Sequence, residues 1–159
     1  MQAQSGINPY KFGLIGSTDS HSGLASAEEN NFLGKMATDS TPETKTRSIE
    51  SPVTSNGWNM SACGLAAVWA EENSREAIYA AFKRKEVYAT TGPRMTLRVF
   101  GGWDFKAGDL GGDWVKAGYG RGVPMGGTLK PGVGVPSFMI SALKDPVGAN
   151  LDRVQVVEH

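Results

Sequence analysis

The hydrophobic period of this chain changes at Gly92–Pro93, and that change limits its possible folds more than any other feature. On the N-terminal side the spacing is helical. In the stretch Ser74 to Lys85, Ala77, Ile78, Ala81 and Phe82 fall on one stripe of a 3.6-residue period. Asn73 is suited to cap this helix, with Glu76 three residues on to complete a capping box. Lys83, Arg84 and Lys85 crowd its last turn, where the helix dipole favours positive charge. Val87 to Thr90 then reads as a strand. On the C-terminal side the period is two. Met95, Leu97 and Val99 alternate with Thr96, Arg98 and Phe100, as in a half-buried strand, and Gly101–Gly102 reads as a turn. Pro136 to Leu143 and Leu151 to Val157 read as two more strands, joined by a turn signal at Asp145, Pro146, Gly148 and Asn150.

The expected fold class is therefore α+β. Residues 1–92 form one organisation of strands and a helix, and residues 93–159 form a small antiparallel, sandwich-like unit. In the first part, Lys11 to Ser17 (KFGLIGS) suits a buried strand carrying Phe12, Leu14 and Ile15, with Gly13 and Gly16 allowing close backbone approach. Cys63 to Ala70 is apolar and leans to an extended segment around Ala66 to Trp69. Ser22 to Lys35 holds at most one or two helical turns, weakened by Asn30, Asn31 and Gly34. The polar stretch 37–56 cannot build an apolar face and reads as a long exposed loop, either a lid or a plain connection. Glycine is 21 of 159 residues, about twice the usual share, and Gly111 to Gly134 reads as irregular. There is no internal repeat.

Composition excludes several functions. Lys plus Arg and Asp plus Glu are both 16, so no basic excess marks a nucleic-acid binder. No apolar run approaches the roughly 20 residues that span a bilayer, and MQAQSGINPYKFG has no signal-peptide pattern. One cysteine, Cys63, allows no internal disulfide and no Cys-rich zinc site, and fits either the cytoplasm or the periplasm. With two histidines, His21 and His159, chemistry needing three or four imidazoles cannot be complete within this chain.

Asp19 and His21 carry the sharpest chemical signal. A hard carboxylate oxygen and a borderline imidazole nitrogen, one residue apart after a glycine-bounded strand, suit Zn, Mn or Fe. The plain alternative is a surface turn with Asp19 bonded to backbone amides. Ser17 and Ser20 lie too near these two residues in sequence to form a nucleophilic triad, and no G-x-S-x-G elbow exists. GYGRG, from Gly118 to Gly122, lacks the strand-then-helix setting of a dinucleotide loop. In Thr90 to Arg94 (TTGPR), two hydroxyls, a glycine and an arginine could meet an oxyanion, with a tight turn and a surface Arg94 as the competing reading. Glu71, Glu72 and Asn73 suit metal-supporting or helix-capping roles alike. Trp58, Trp69, Trp103 and Trp114 read as core or rim packing, because basic residues do not interleave with them.

Taken together, these segments resemble a known superfamily. GLIGSTDSHSGLASAEENNFLGK is similar to the final metal-binding segment of PHP-type (polymerase and histidinol phosphatase) metallohydrolases. GLAAVWAEENSREAIYAAFKRKEVYATTGPRMTLRVFGGWDF resembles the stretch that follows in one bacterial branch of unassigned function. GYGRGVPMGGTL and LKDPVGANLDRVQVV are also similar to segments of that branch, so the resemblance runs along nearly the whole chain, in order.

The resemblance implies a distorted β/α barrel with divalent metals at the C-terminal ends of its strands. Asp19 and His21 would be the last ligands of a two- or three-metal cluster, and Asp19 would also help orient the attacking water. Arg94 would be an oxyanion contact. It further implies that the other ligands lie on an upstream part of the same barrel, so that either Met1 is not the natural start or the reading frame is truncated, and that this chain alone binds metal weakly and is inactive. Glu158 and His159 depart from the family's usual residues. The implied activity is metal-assisted hydrolysis of a small phosphorylated or related substrate, with no role for nucleic acid or membrane. Two other readings stay open: a non-catalytic, β-rich ligand- or partner-binding module with a vestigial Asp-x-His, and a structural appendage that closes a barrel's cleft.

Overall fold

The computed structural model describes residues 6–8, 10–21 and 64–157. The expected loop at 37–56, the turns of Ser22 to Lys35, Cys63 and Trp58 lie outside the described residues. The described elements are β1 (Leu65–Val68), α1 (Arg75–Arg84), β2 (Val87–Thr90), β3 (Thr96–Gly102), α2 (Trp114–Arg121), β4 (Gly122–Pro124) and β5 (Ser137–Leu143), with a 3-10 turn over Ala107–Gly111. They form two small antiparallel sheets, β1-β2 and β4-β3-β5, so the class is α+β. No closed barrel is formed among the described residues.

The chain divides into two units. One comprises Met1–Ile15, Val68–Tyr88 and Leu97–Ser141. The other comprises Gly16–Ala67, Ala89–Thr96 and Ala142–His159.

In the first unit, α1 starts one residue later than the capping-box pattern suggests. Ser74 is the N-cap, and its Oγ accepts from the Ala77 amide at 3.2 Å. The Ser74 hydroxyl in turn donates to Glu72 Oε1 at 2.8 Å, so the carboxylate that steadies the cap precedes the helix. Ala81 is fully buried and Ala77 and Ile78 partly so, whereas Phe82 stays 41% exposed at the edge of the stripe. The helix ends at Lys85, which takes a left-handed conformation (φ 63°). The Lys85 and Glu86 amides close onto the Phe82 and Ala81 carbonyls at 3.0 and 3.1 Å. The chain leaves directly into β2, and the Glu86 carbonyl accepts from the Trp69 amide at 2.9 Å.

Strand β3 runs on through Gly101 and Gly102, where a turn was expected, because β4 pairs with it there. Gly101 faces Val123 and Gly102 faces Gly122 in antiparallel register. Bare glycines are required at this end. A methyl group on Gly102 would come within 2.7 Å of the Phe105 ring. The stretch Gly111 to Gly134 is also more ordered than its glycines suggest. Asp113 caps α2 through the Lys116 amide at 3.1 Å, and α2 packs on β3 with Gly118 against Phe100. Phe100 is wholly buried, and Trp114 and Tyr119 meet it edge-on with ring centres 5.7 and 5.0 Å away. Residues 96–99 of β3 are all half-buried and Phe100, Gly101 and Gly102 are buried, so Phe100, which the alternation grouped with the polar residues, is the side chain most deeply covered.

Two expected strands do not form. Lys11 to Ser17 is irregular, and Phe12, Leu14 and Ile15 are 60, 80 and 57% exposed. Residues 151–157 make no ladder and are exposed. In each case the alternating residues lack a neighbouring strand among the described residues, so their backbone groups have no ladder to join. The sandwich-like expectation gives way to one three-stranded sheet with a helix on it. The turn between Leu143 and Leu151 does form. Asp145 Oδ1 accepts from the Val147 and Gly148 amides at 2.9 and 3.2 Å.

Candidate functional site

In the second unit, Gly16 and Gly64 bring the Asp-x-His segment against the β1-β2 pair. A methyl group on Gly16 would collide with the Ala89 side chain. One on Gly64 would collide with the Ser17 carbonyl and come within 3.5 Å of the Thr90 carbonyl. Ser17, two residues ahead of Asp19, and Thr90, the first residue of TTGPR, thus flank the same glycine.

Beyond Ser17 the chain turns sharply. Asp19 has φ 55°, left-handed backbone that Asp tolerates better than most side chains. The Asp19 and Ser20 amides approach the Ser17 and Thr18 hydroxyls at 3.4 and 3.3 Å. The turn brings the two predicted ligands close together, with His21 Nδ1 3.9 Å from Asp19 Oδ1. Nδ1 also lies 2.9 Å from the Asp19 carbonyl oxygen. A carbonyl only accepts, so this contact is a hydrogen bond when Nδ1 carries a proton, and the neutral tautomer that makes it has its lone pair on Nε2. The Asp19 and His21 side chains are 69 and 52% exposed. Among the described residues, no group of three His, Cys, Asp or Glu side chains could enclose a metal ion.

Arg94 follows the turn at Gly92, whose φ is 128° and whose amide donates to Thr90 Oγ1 at 3.3 Å. Arg94 is exposed, and its amide donates to Asp145 Oδ2 at 2.6 Å. This bond, then those from Val147 and Gly148, holds the Asp145 carboxyl below the usual carboxylate range. The backbone of Arg94 therefore meets a carboxylate of the protein itself.

The first unit contains a cleft that sequence reasoning missed, of about 700 Å³. At its base, the Glu86 carboxylate is 3% exposed. Arg84 Nε donates to Glu86 Oε1 at 2.7 Å, and the Tyr119 hydroxyl donates to Glu86 Oε2. Arg98 Nη2 donates to the Tyr119 oxygen at 3.0 Å. The Arg98 guanidinium carbon lies 4.1 Å from the centre of the Trp69 ring, and the indole N–H is tied to the Leu97 carbonyl at 3.0 Å. Burial, and secondarily the bond to Glu86, pushes the Tyr119 phenol up from its ordinary value, consistent with a phenol that donates to a carboxylate. Of the predicted acidic pair, Glu71 lines this cleft and Glu72 serves the helix cap. The available signal was Arg98 two residues before Phe100, a cation sharing a strand face with an aromatic side chain that the sheet buries.

The described residues thus define a small α+β protein with an Asp-x-His turn in one unit and an arginine-aromatic cleft in the other. The chain belongs to the family described as "Protein of unknown function (DUF3604)", whose model matches residues 1–159. No curated protein and no solved structure matches it. No helix among the described residues is long and apolar enough to cross a membrane.

Proposed function

We propose that this chain contributes Asp19 and His21 as ligands to a divalent metal, Zn, Mn or Fe, in a PHP-type metal-dependent hydrolase acting on a small phosphorylated substrate. The observation that carries the reading is the left-handed turn at Asp19. It brings the two side chains within 3.9 Å of each other, and the Asp19 carbonyl, by accepting from Nδ1, would leave Nε2 as the ring's ligand atom; Nε2 then faces away from the Asp19 carboxylate, so a shared ion requires the exposed His21 ring to turn. The donor set fits a metal of this class, though two ligands fall short of even a four-coordinate shell. When bound, such a metal lowers the pKa of a coordinated water and polarises a phosphoryl oxygen. Asp19 and His21 would hold it, and Asp19 would orient the water. Arg94, four residues past Thr90, would offer its guanidinium to an oxyanion.

The exposed row of Phe12, Leu14 and Ile15 supports a further part of the reading. Such a row suits a segment that packs on other strands of a distorted β/α barrel, where the remaining ligands would lie.

Calorimetric titration of the 159-residue chain with Zn²⁺ and Mn²⁺ tests the proposal. Weak binding is expected, lost in Asp19→Asn and in His21→Gln and unchanged in Arg153→Gln, with no phosphatase turnover by the chain alone. Metal affinity indifferent to both site substitutions would refute it and favour the reading as a binding module with a vestigial motif.

A further inference from the structure

The cleft beneath Trp69 holds a cation that makes no ion pair with any described residue. Arg84 and Arg98 both line it, but their situations differ. Arg84 is ion-paired with the buried Glu86 at 2.7 Å. Arg98 donates to Tyr119, a neutral phenol, whose own proton is committed to Glu86. Among the described residues, no carboxylate lies within ion-pairing distance of Arg98. The guanidinium carbon sits over the Trp69 ring, and the Tyr119 bond uses one of its five N–H donors. A guanidinium anchored at these two contacts, with donors to spare, suits a planar, two-oxygen acceptor.

We propose that this cleft is a binding site for a small organic carboxylate carried on an apolar body, with its oxygens on Arg98. The apolar body follows from the walls. Trp69, the Tyr119 ring and Pro124 line the same cleft, whose volume of about 700 Å³ lies in the range of small-molecule sites. Preference for a carboxylate over a phosphate ester follows from charge. Arg84 is committed to Glu86, so Arg98 has one positive charge to offer a monoanion, while a dianion would bring its second charge towards Glu71 and Glu86, which line the same cleft. The proposal is independent of the metal reading, because every residue it uses lies in the unit comprising Val68–Tyr88 and Leu97–Ser141.

The test is a titration of the full ¹⁵N-labelled chain with benzoate, phenyl phosphate and benzyl alcohol at fixed pH and ionic strength. The readouts are the Trp69 indole N–H and the Arg98 Nε–H signals. Benzoate is expected to shift both saturably, and to bind at least about tenfold more weakly to Arg98→Gln. Arg98→Lys, which keeps the charge without the planar fork, is expected to lose most of the affinity. Arg153→Gln should bind as the parent does. Circular dichroism checks that the variants fold, and the parent titration stands without them. The proposal is overturned if benzoate produces no saturable shift, if benzyl alcohol binds as well as benzoate, if phenyl phosphate binds more tightly than benzoate, or if folded Arg98→Gln binds unchanged.

Discussion

The Tyr119 hydroxyl donates its proton to the carboxylate of Glu86, a side chain that the fold buries almost completely. The bond ties α2 to the strand-entry residue just after α1, and it carries Arg98 on the phenol's other side. A buried carboxylate needs such partners, because desolvation without them costs more than a typical hydrogen bond returns.

The alkaline limb of stability should report this bond. The Tyr119 phenol is raised above its ordinary value by burial first and the Glu86 bond second. A group with a raised folded pKa contributes stability that is complete below its unfolded pKa, about 10 for tyrosine. That contribution is lost as pH rises through the higher folded value. Absorbance titration of the 4 tyrosines should therefore show one that ionises late, coincident with loss of structure and absent in Tyr119→Phe. Four phenols titrating together in the folded chain would contradict it.

Gly118 lies flat on the Phe100 ring, and a methyl group there would sit 2.5 to 2.7 Å from three ring carbons. Helix propensity alone favours alanine at this position by about 1 kcal/mol. The clash should win, because Phe100 is wholly buried between Trp114 and Tyr119 and has no room to yield. Gly118→Ala is expected to lower unfolding free energy by about 1–3 kcal/mol in urea, while Gly120→Ala, which meets open space, should be neutral or stabilising. Equal effects at the two positions would show that the ring moves aside.

Acid should loosen the loop around Asp145 before it unfolds the sheet. The amide of Arg94, then those of Val147 and Gly148, holds this carboxyl below its ordinary range. A depressed folded pKa means that the contribution is full above the unfolded value of about 3.9 and fades as pH falls through the lower folded one. Amide exchange at Arg94 and Val147 should accelerate in that window, and in Asp145→Ala at neutral pH. Protection that stays constant across the window would show that the carboxylate contributes nothing to the turn.

Much of the local structure was legible in the residues. Helix α1, the strand after it and the Asp145 turn follow from short-range chemistry: an apolar stripe, cations in the last turn, and a side-chain oxygen within reach of amides two and three residues on. Asn73 was misread as the cap because two adjacent residues can each fill that role, and the hydroxyl bond to Glu72 favours Ser74. Trp69 was read as packing alone because its cation is brought to it from β3, 29 positions along the chain.

By itself, the chain's order of residues determined the α+β class, the main helix and the two-residue spacing of Asp19 and His21. Tertiary structure alone decided that Phe100 is the most deeply buried side chain of β3 while Leu97 and Val99 stay half-buried, that a glycine-rich stretch becomes a capped helix, and that Glu86, Tyr119, Arg98 and Trp69 converge on one cleft. The reason is range. Caps, turns and helical stripes are settled within a few residues. Which face of a strand is buried, and whether a glycine is a hinge or a contact surface, depends on what the rest of the chain lays against it.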